Sequence, residues 1–207
     1  MRRGSTEEIG TSIQTTGDIT LTAGNDLKLK AANITSNDGD IAGIAGQDIF
    51  IESGEATSNM QYARYVKKSG TLSSKKTTSR DTFNSTNSVA STISAENINL
   101  AAGAQITDNG TFTTKHGQGN LNIKGSNVIA TNDVNLNAGA DINILTAQET
   151  HDETHYKNVK QSGLSSSGAS VTYGNSKLTT TNDIQQVTNV ASMVGSVDGN
   201  VNINSGK

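Results

Sequence analysis

The sequence contains no cysteine, no proline and no tryptophan, and only three phenylalanines and four tyrosines in 207 residues. Without cysteine there is no disulfide and no thiolate metal site, so the fold rests on packing and hydrogen bonds alone. Without proline, and with only 17% charged residues, the composition departs from that of disordered chains, which are rich in both. No segment approaches the roughly 20 apolar residues of a membrane-spanning helix. The N-terminal "MRRGSTEEIG" carries basic residues but no apolar run behind them, which is not the pattern of a signal peptide. A net charge of −3 offers no global attraction to nucleic acid or to an anionic membrane, and no nucleic-acid partner is expected.

What is abundant is small and polar. Thr (27), Ser (23), Asn (23) and Gly (21) together make up nearly half of the chain. The Ile, Leu and Val residues are few but ordered, alternating with polar residues in stretches such as "GDITLTAGNDLKLKAANI" from Gly17 to Ile34. These strands recur. Ile13 to Ile34 is 21 residues, while Ile19 to Ile41 and Leu27 to Ile49 are each 22. Ala23 and Ala45, Gly24 and Gly46, Asp18 and Asp40, and Asp26 and Asp48 keep the same beat. In the second half, Ile98 to Leu121 is 23, Leu121 to Ile142 is 21, and both Ile106 to Val128 and Phe112 to Val134 are 22. Three short strands per turn of about 22 residues predicts a parallel β-helix, in which each inward side chain stacks on its counterpart one turn later. An antiparallel sandwich also has short strands, but it needs no strict beat in three phases and usually holds more aromatics. On this arithmetic Leu27 points inward and Lys28 outward.

A longer repeat overlies the short one. "YVKKSGTLSS" (Tyr65–Ser74) answers "NVKQSGLSSS" (Asn158–Ser167), and "SVASTISAENINLAAG" (Ser88–Gly103) answers "NVASMVGSVDGNVNINSG" (Asn189–Gly206). The expected organisation is one continuous solenoid of two modules, residues 10–103 and 104–207, behind a disordered or vector-derived N-terminus at 1–9. Each module carries a polar excursion, at about 55–94 and about 147–196. The excursions lose the beat and are read as β-hairpins or small antiparallel sheets lying against the helix flank. "NDIQQVTNVASMV" (Asn182–Val194) has its apolar residues at helical spacing, but its β-branched content opposes a helix, and the reading stays open there. The final "GNVNINSGK" stops inside the pattern, so the chain reads as part of something longer, with open β-helix ends available for self-association.

"GDITLTAGNDLKLKAANI", "NDVNLNAGADINILTAQET" and the following "VKQSGLSSSGASV" resemble the haemagglutinin repeats of filamentous haemagglutinin. They resemble especially the second repeat region of contact-dependent growth inhibition exoproteins. The likeness runs from about Gly10 to the end. It implies a right-handed parallel β-helix, secretion to the bacterial outer-membrane surface by an outer-membrane transporter of a two-partner system, and one of two roles. One is support of toxin delivery to neighbouring bacteria. The other is adhesion to a target-cell or host-cell surface. The transporter would act through a region not present here. The Asn-Pro secretion motif, the "VENN" toxin boundary and any recognisable toxin are missing from this stretch. The family offers no catalytic or cofactor-binding residue to carry over.

Candidate chemistry is sparse. His151 and His155 in "ETHDETHY" could bind zinc on a helix at that spacing, but on a strand they lie roughly 13 Å apart. "SNDGD" (Ser36–Asp40) and "VDGN" (Val197–Asn200) lack the spacing of a calcium loop and suit corners. No metal, cofactor or catalytic set is therefore assigned, and no enzyme is expected. The first excursion carries Arg64, Lys67, Lys68, Lys75, Lys76 and Arg80, a basic surface able to meet a polyanion. The second keeps only Lys157, Lys160 and Lys177 and adds Asp152 and Glu153, so a solvated hairpin face is the default reading.

Overall fold

The structure is a computed structural model and describes residues 1–106, 112–167 and 169–206; the side chains of residues 106, 112 and 165–167 and the whole of Lys207, the last residue of the expected second module, lie outside that description. The described residues form strands and turns, with no helix. They separate into two compact units, one built from residues 7–56, 87–149 and 189–207 and one from residues 1–6, 57–86 and 150–188.

Along the chain, β1 (Arg2–Glu7) precedes a first round of β2 (Ser12–Thr15), β3 (Ile19–Ala23) and β4 (Leu27–Lys30). A second round follows as β5 (Asn33–Ser36), β6 (Ile41–Ala45) and β7 (Ile49–Glu52), and then two long strands, β8 (Gly54–Ser69) and β9 (Ser73–Val89). The third round is β10 (Thr92–Ala95), β11 (Ile98–Ala102), the short pair β12 (Ala104–Ile106) and β13 (Phe112–Thr114), and β14 (Leu121–Lys124). The fourth is β15 (Asn127–Ala130), β16 (Val134–Ala138) and β17 (Ile142–Leu145), followed by β18 (Ala147–Ser167) and β19 (Ser170–Val190). β20 (Met193–Ser196) and β21 (Val201–Ser205) complete the described strands.

The larger unit is a β-helix-like stack. Each round contributes one strand to each of three sheets, ordered β2-β5-β10-β15-β20, β3-β6-β11-β16-β21 and β4-β7-β14-β17. All neighbours in these sheets whose register is defined run parallel. Like residues therefore sit above like: Ile19, Ile41, Ile98 and Val134 form one column, and Leu27, Ile49, Leu121 and Ile142 another. Ile34, Ile49, Ile98, Leu121, Val128 and Val134 are completely shielded from water. Each such side chain is worth about 1.5–3 kcal/mol of transfer free energy before entropy. So few apolar residues suffice because those in the stacked columns share one core.

Polar columns seal the corners. Asp18 Oδ1 accepts the Asp40 N–H at 2.9 Å, Asp40 Oδ1 accepts the Asn97 N–H at 3.1 Å, Asn97 Oδ1 accepts the Asp133 N–H at 3.1 Å, and Asp133 Oδ1 accepts the Asn200 N–H at 2.7 Å. A second column runs Asp26, Asp48, Asn120, Asp141 in the same way. The backbone N–H groups at each bend would otherwise lack a partner, and Asp or Asn supplies one from the adjacent round. At the third corner the fully buried Ser91 hydroxyl donates to the Glu52 carbonyl at 2.6 Å and accepts the Ala32 N–H at 3.0 Å. On the outside, Asn135 stacks on Asn99 and Asn202 on Asn135 through side-chain amides at 2.8 and 2.9 Å.

The smaller unit is built around a five-stranded sheet ordered β1-β8-β9-β18-β19. Between β8 and β9 only residues 70–72 intervene, with the Gly70 N–H donating to the Ser73 carbonyl at 2.8 Å. So short a connection joins antiparallel neighbours. β9 and β18 pair antiparallel from Thr150 opposite Thr86 to Gly163 opposite Ser73.

Two expectations need correction. The first residues are not disordered: Arg2–Glu7 is a strand on the edge beside β8, with the Thr6 and Thr57 hydroxyls 2.5 Å apart. A long edge strand presents unpaired backbone groups, and six proline-free residues satisfy them. The second-half phasing also differs. Ile98 stacks on Ile41 and Val134 rather than leading to Leu121, and Ile106 and Phe112 pair with each other across β12–β13 rather than with Val128 and Val134. That hairpin lengthens the third round, and its near-22 spacing in sequence mimics a coil strand. The excursions group with residues 1–6 in a compact unit of their own. The matching "SG" texts take different places in the two excursions. Ser69-Gly70 turns the first hairpin, whereas Ser162-Gly163 continues inside β18 opposite Ser74 and Ser73. The segment whose apolar residues sit at helical spacing is strand through Val190, as its β-branched content requires.

Candidate functional site

The six basic residues of the first excursion all lie in the five-stranded sheet, and all are exposed. Arg64, Lys67 and Lys68 are on β8, and Lys75, Lys76 and Arg80 are on β9. Strand alternation divides them. Lys76 and Arg80 share one face of β9 and Lys75 takes the other, while Lys67 and Lys68 oppose each other on β8. They are not one patch.

The register instead brings Lys76 together with lysines of the second excursion. Lys76 lies directly opposite Lys160, and Ser74 directly opposite Ser162, with the two hydroxyls 2.9 Å apart. On the other side of β18, the Asn158 amide donates to the Thr179 hydroxyl of β19 at 2.7 Å. Lys177 and Asn175 of β19 line the same cleft as Lys160 and Ser162. The cleft has a volume of about 350 Å³. Sequence reasoning missed it because its lysines come from positions 76, 160 and 177, and no linear spacing signals a register between two excursions.

The opposite face carries the two histidines. His151, Glu153 and His155 alternate along β18, and Asp81 and Phe83 face them from β9. His155 Nδ1 is 3.0 Å from Asp81 Oδ1 and its Nε2 is 3.1 Å from Glu153 Oε2. His151 Nε2 is 2.9 Å from the other Glu153 oxygen, and its ring stands edge-on to Phe83 at 4.7 Å. A neutral imidazole has one N–H for two carboxylates, whereas imidazolium has two. Asp81 first and Glu153 second hold the His155 pKa above its ordinary 6.5. His151, and then His155, hold Glu153 below 4.5. Among the described residues no three His, Asp or Glu side chains converge well enough to hold a metal ion.

The sign of the pH dependence follows. His155 binds its proton more tightly in the folded sheet, so its contribution is complete below about pH 6.5 and is lost as pH rises through the higher folded value. Glu153 contributes above 4.5 and loses that contribution as pH falls through its lowered value. The expected result is a melting temperature that declines on the alkaline side in the native chain and declines less in His155→Gln. Identical profiles in a pH series of thermal melts would remove the cluster from the account.

On the coil unit a polar cleft of about 500 Å³ is lined by Lys30, Glu52, Glu55, Ser88 and Lys124. Lys30 Nζ donates to Glu8 Oε1 at 2.8 Å, and Glu8 Oε2 accepts the Glu55 N–H at 2.9 Å. The Ser88 hydroxyl is buried there without a partner among the described residues. The repeated Asp18, Asp40, Asp26 and Asp48 are corner acceptors rather than a carboxylate pair.

Comparison with known proteins places the repeat. The hemagglutinin repeat family model matches twice, over residues 2–73 and 68–207. A tRNA nuclease CdiA of Escherichia coli (strain STEC_O31) is 36% identical over 204 residues, covering 96% of this chain and 5% of that protein. A tRNA nuclease CdiA of Burkholderia pseudomallei is 39% identical over 140 residues, 67% of this chain and 10% of that protein. A deoxyribonuclease CdiA of Yersinia pseudotuberculosis serotype O:3 (strain YPIII) is 38% identical over 88 residues, 42% of this chain and 8% of that protein. The chain thus spans a tenth or less of these relatives' length. No solved structure matches it. With both copies of the family model together covering nearly all of its length, the chain belongs to the hemagglutinin repeat family.

Proposed function

We propose that this chain is a non-enzymatic structural and delivery segment of a large secreted bacterial surface exoprotein, supporting toxin delivery to neighbouring bacteria in contact-dependent growth inhibition. The observation that carries this reading is that the same repeat, at 36–39% identity, lies inside three relatives named for two different nuclease activities. A segment shared across different toxins serves something common to them. The columns of like residues give the physical complement: side chains spent on stacking round upon round leave little convergent chemistry. In this reading the stack is a right-handed parallel β-helix of about 22 residues per round where no excursion intervenes, as the Ile19–Ile41 and Leu27–Ile49 registers suggest. Its modules are residues 10–103 and 104–207. Surface location and an outer-membrane transporter partner, acting through another region, belong to the same proposal.

Deleting these modules from the parent protein is expected to leave surface display intact and to abolish toxin transfer. Transfer at the native level with display intact would defeat the delivery role. The second reading, an adhesive module for a host or bacterial surface ligand, is favoured by one feature, the exposed cationic cleft between the excursions. Saturable binding of the isolated chain to intact cells would support it.

A further inference from the structure

We infer that the lysine row of the five-stranded sheet is a binding site for a tetrahedral oxyanion, a phosphate or sulfate group, assembled from both excursions. The inference concerns this sheet alone and does not depend on the delivery reading. Lys76 of β9 lies directly opposite Lys160 of β18, and Lys177 of the next strand, β19, lines the same cleft. Neighbouring strands are about 4.8 Å apart, so the three strands carrying these lysines span about 10 Å. Like charges directly opposite one another weaken a sheet, and sheets normally interleave them with carboxylates. Here none does. The cleft lining contains no acidic residue, and among the described residues none of the three lysines forms an ion pair. The nearest acid on that face of β19 is Asp183, six residues from Lys177 and roughly 20 Å away along the strand. Asp152, on the same face of β18, is farther still. Asp81, Glu153 and both histidines lie on the other face.

The adjoining row supplies neutral donors. Ser74 and Ser162 offer hydroxyls, and Asn175 an amide. Lysine presents rotatable N–H donors on a flexible stem, which suits the oxygens of a tetrahedral anion better than a planar carboxylate. An anion seated across the row converts the mutual repulsion of the three cations into attraction. Because Lys76 belongs to one excursion and Lys160 and Lys177 to the other, the site exists only when β9 and β18 are paired, and a bound anion would also hold that pairing.

The test uses the full chain with its lysine side chains labelled for NMR, titrated with inorganic phosphate at constant ionic strength. Saturable shifts confined to Lys76, Lys160 and Lys177 are expected. In Lys160→Gln the affinity should fall about tenfold or more, the cost of one charge-assisted contact. The same variant should melt at the native temperature or above, because it also removes a repulsion, and this separates lost binding from lost fold. Lys28→Gln, far from the sheet in sequence and on the coil unit, should bind as the native chain does. Co-sedimentation with vesicles of equimolar phosphatidic acid and phosphatidylcholine, against phosphatidylcholine alone, identifies the source. Sedimentation that Lys160→Gln abolishes assigns the site to a membrane-anchored phosphate, and phosphate binding without sedimentation assigns it to a free anion. Shifts spread evenly over all lysines, no shifts, or undiminished binding by Lys160→Gln would overturn the site.

Discussion

Ile98→Asp is expected to unfold the coil, while Asn99→Asp, one residue later, leaves it standing. Ile98 is 0% exposed and lies between Ile41 below and Val134 above. A carboxylate there has no cation or donor within the column, and an uncompensated buried charge costs about 3–5 kcal/mol. That is comparable with the whole stability of many domains. Asn99 points outward and accepts the Asn135 side-chain amide at 2.8 Å, a role an Asp oxygen also fills. Thermal melts of the two variants decide the matter, and equal destabilisation would refute the inward–outward assignment. The same comparison at Leu27 and Lys28 should give a weaker contrast. Leu27 is only half-buried because β4 is an outer strand of its sheet, and an aspartate there can turn towards water.

Gly103→Val is the second large effect. Gly24, Gly46, Gly103, Gly139 and Gly206 each follow the last residue of one of the five strands of the central sheet, in register. At Gly103 two demands coincide. Its φ is +68°, a region that β-branched residues avoid, and a Cβ there would overlap the Gln118 carbonyl oxygen. The backbone conformation alone costs about 1–3 kcal/mol, and the overlap adds to it. The position also hosts the departure of β12–β13, since the Gly103 N–H donates to the Gln47 carbonyl at 2.7 Å and its carbonyl accepts from Lys115 at 2.9 Å. The expected outcome is a strongly lowered melting temperature. Gly174→Val, whose Cβ would meet nothing within 4 Å, serves as the control and should melt with the native chain. A Gly103→Val protein as stable as that control would show that the close approach is not required.

Much of the coil was legible because its rule is local. When a strand stacks on a near-copy of itself, inward positions must be aliphatic, bends must hold glycine or an Asx acceptor, and both recur with the round. Ile19 over Ile41 and Leu27 over Ile49 could therefore be paired by counting. Counting failed at Ile98 and Leu121, where β12–β13 adds residues to one round without changing its composition. A hairpin of Ile106 and Phe112 has the same alternation as a coil strand, and only the partner distinguishes them. The candidate site was less legible still. Lys76, Lys160 and Lys177 are unremarkable polar-strand residues individually, and the two histidines read as an isolated pair until Asp81 and Phe83 arrive from another strand.

By itself, then, the sequence determined the all-β character, the columns of stacked residues in the first rounds, the polar corners and the family, since each of these depends on residues within a round of one another. The tertiary structure alone decided where the third round closes, that Arg2–Glu7 becomes an edge strand, and which lysines and histidines meet across β9, β18 and β19. The meeting of β9 and β18 depends on antiparallel register between segments about 80 residues apart. A one-residue slip would send each lysine to the other face. What selects that register is the sum of all the cross-strand contacts at once, and no single stretch of sequence contains it.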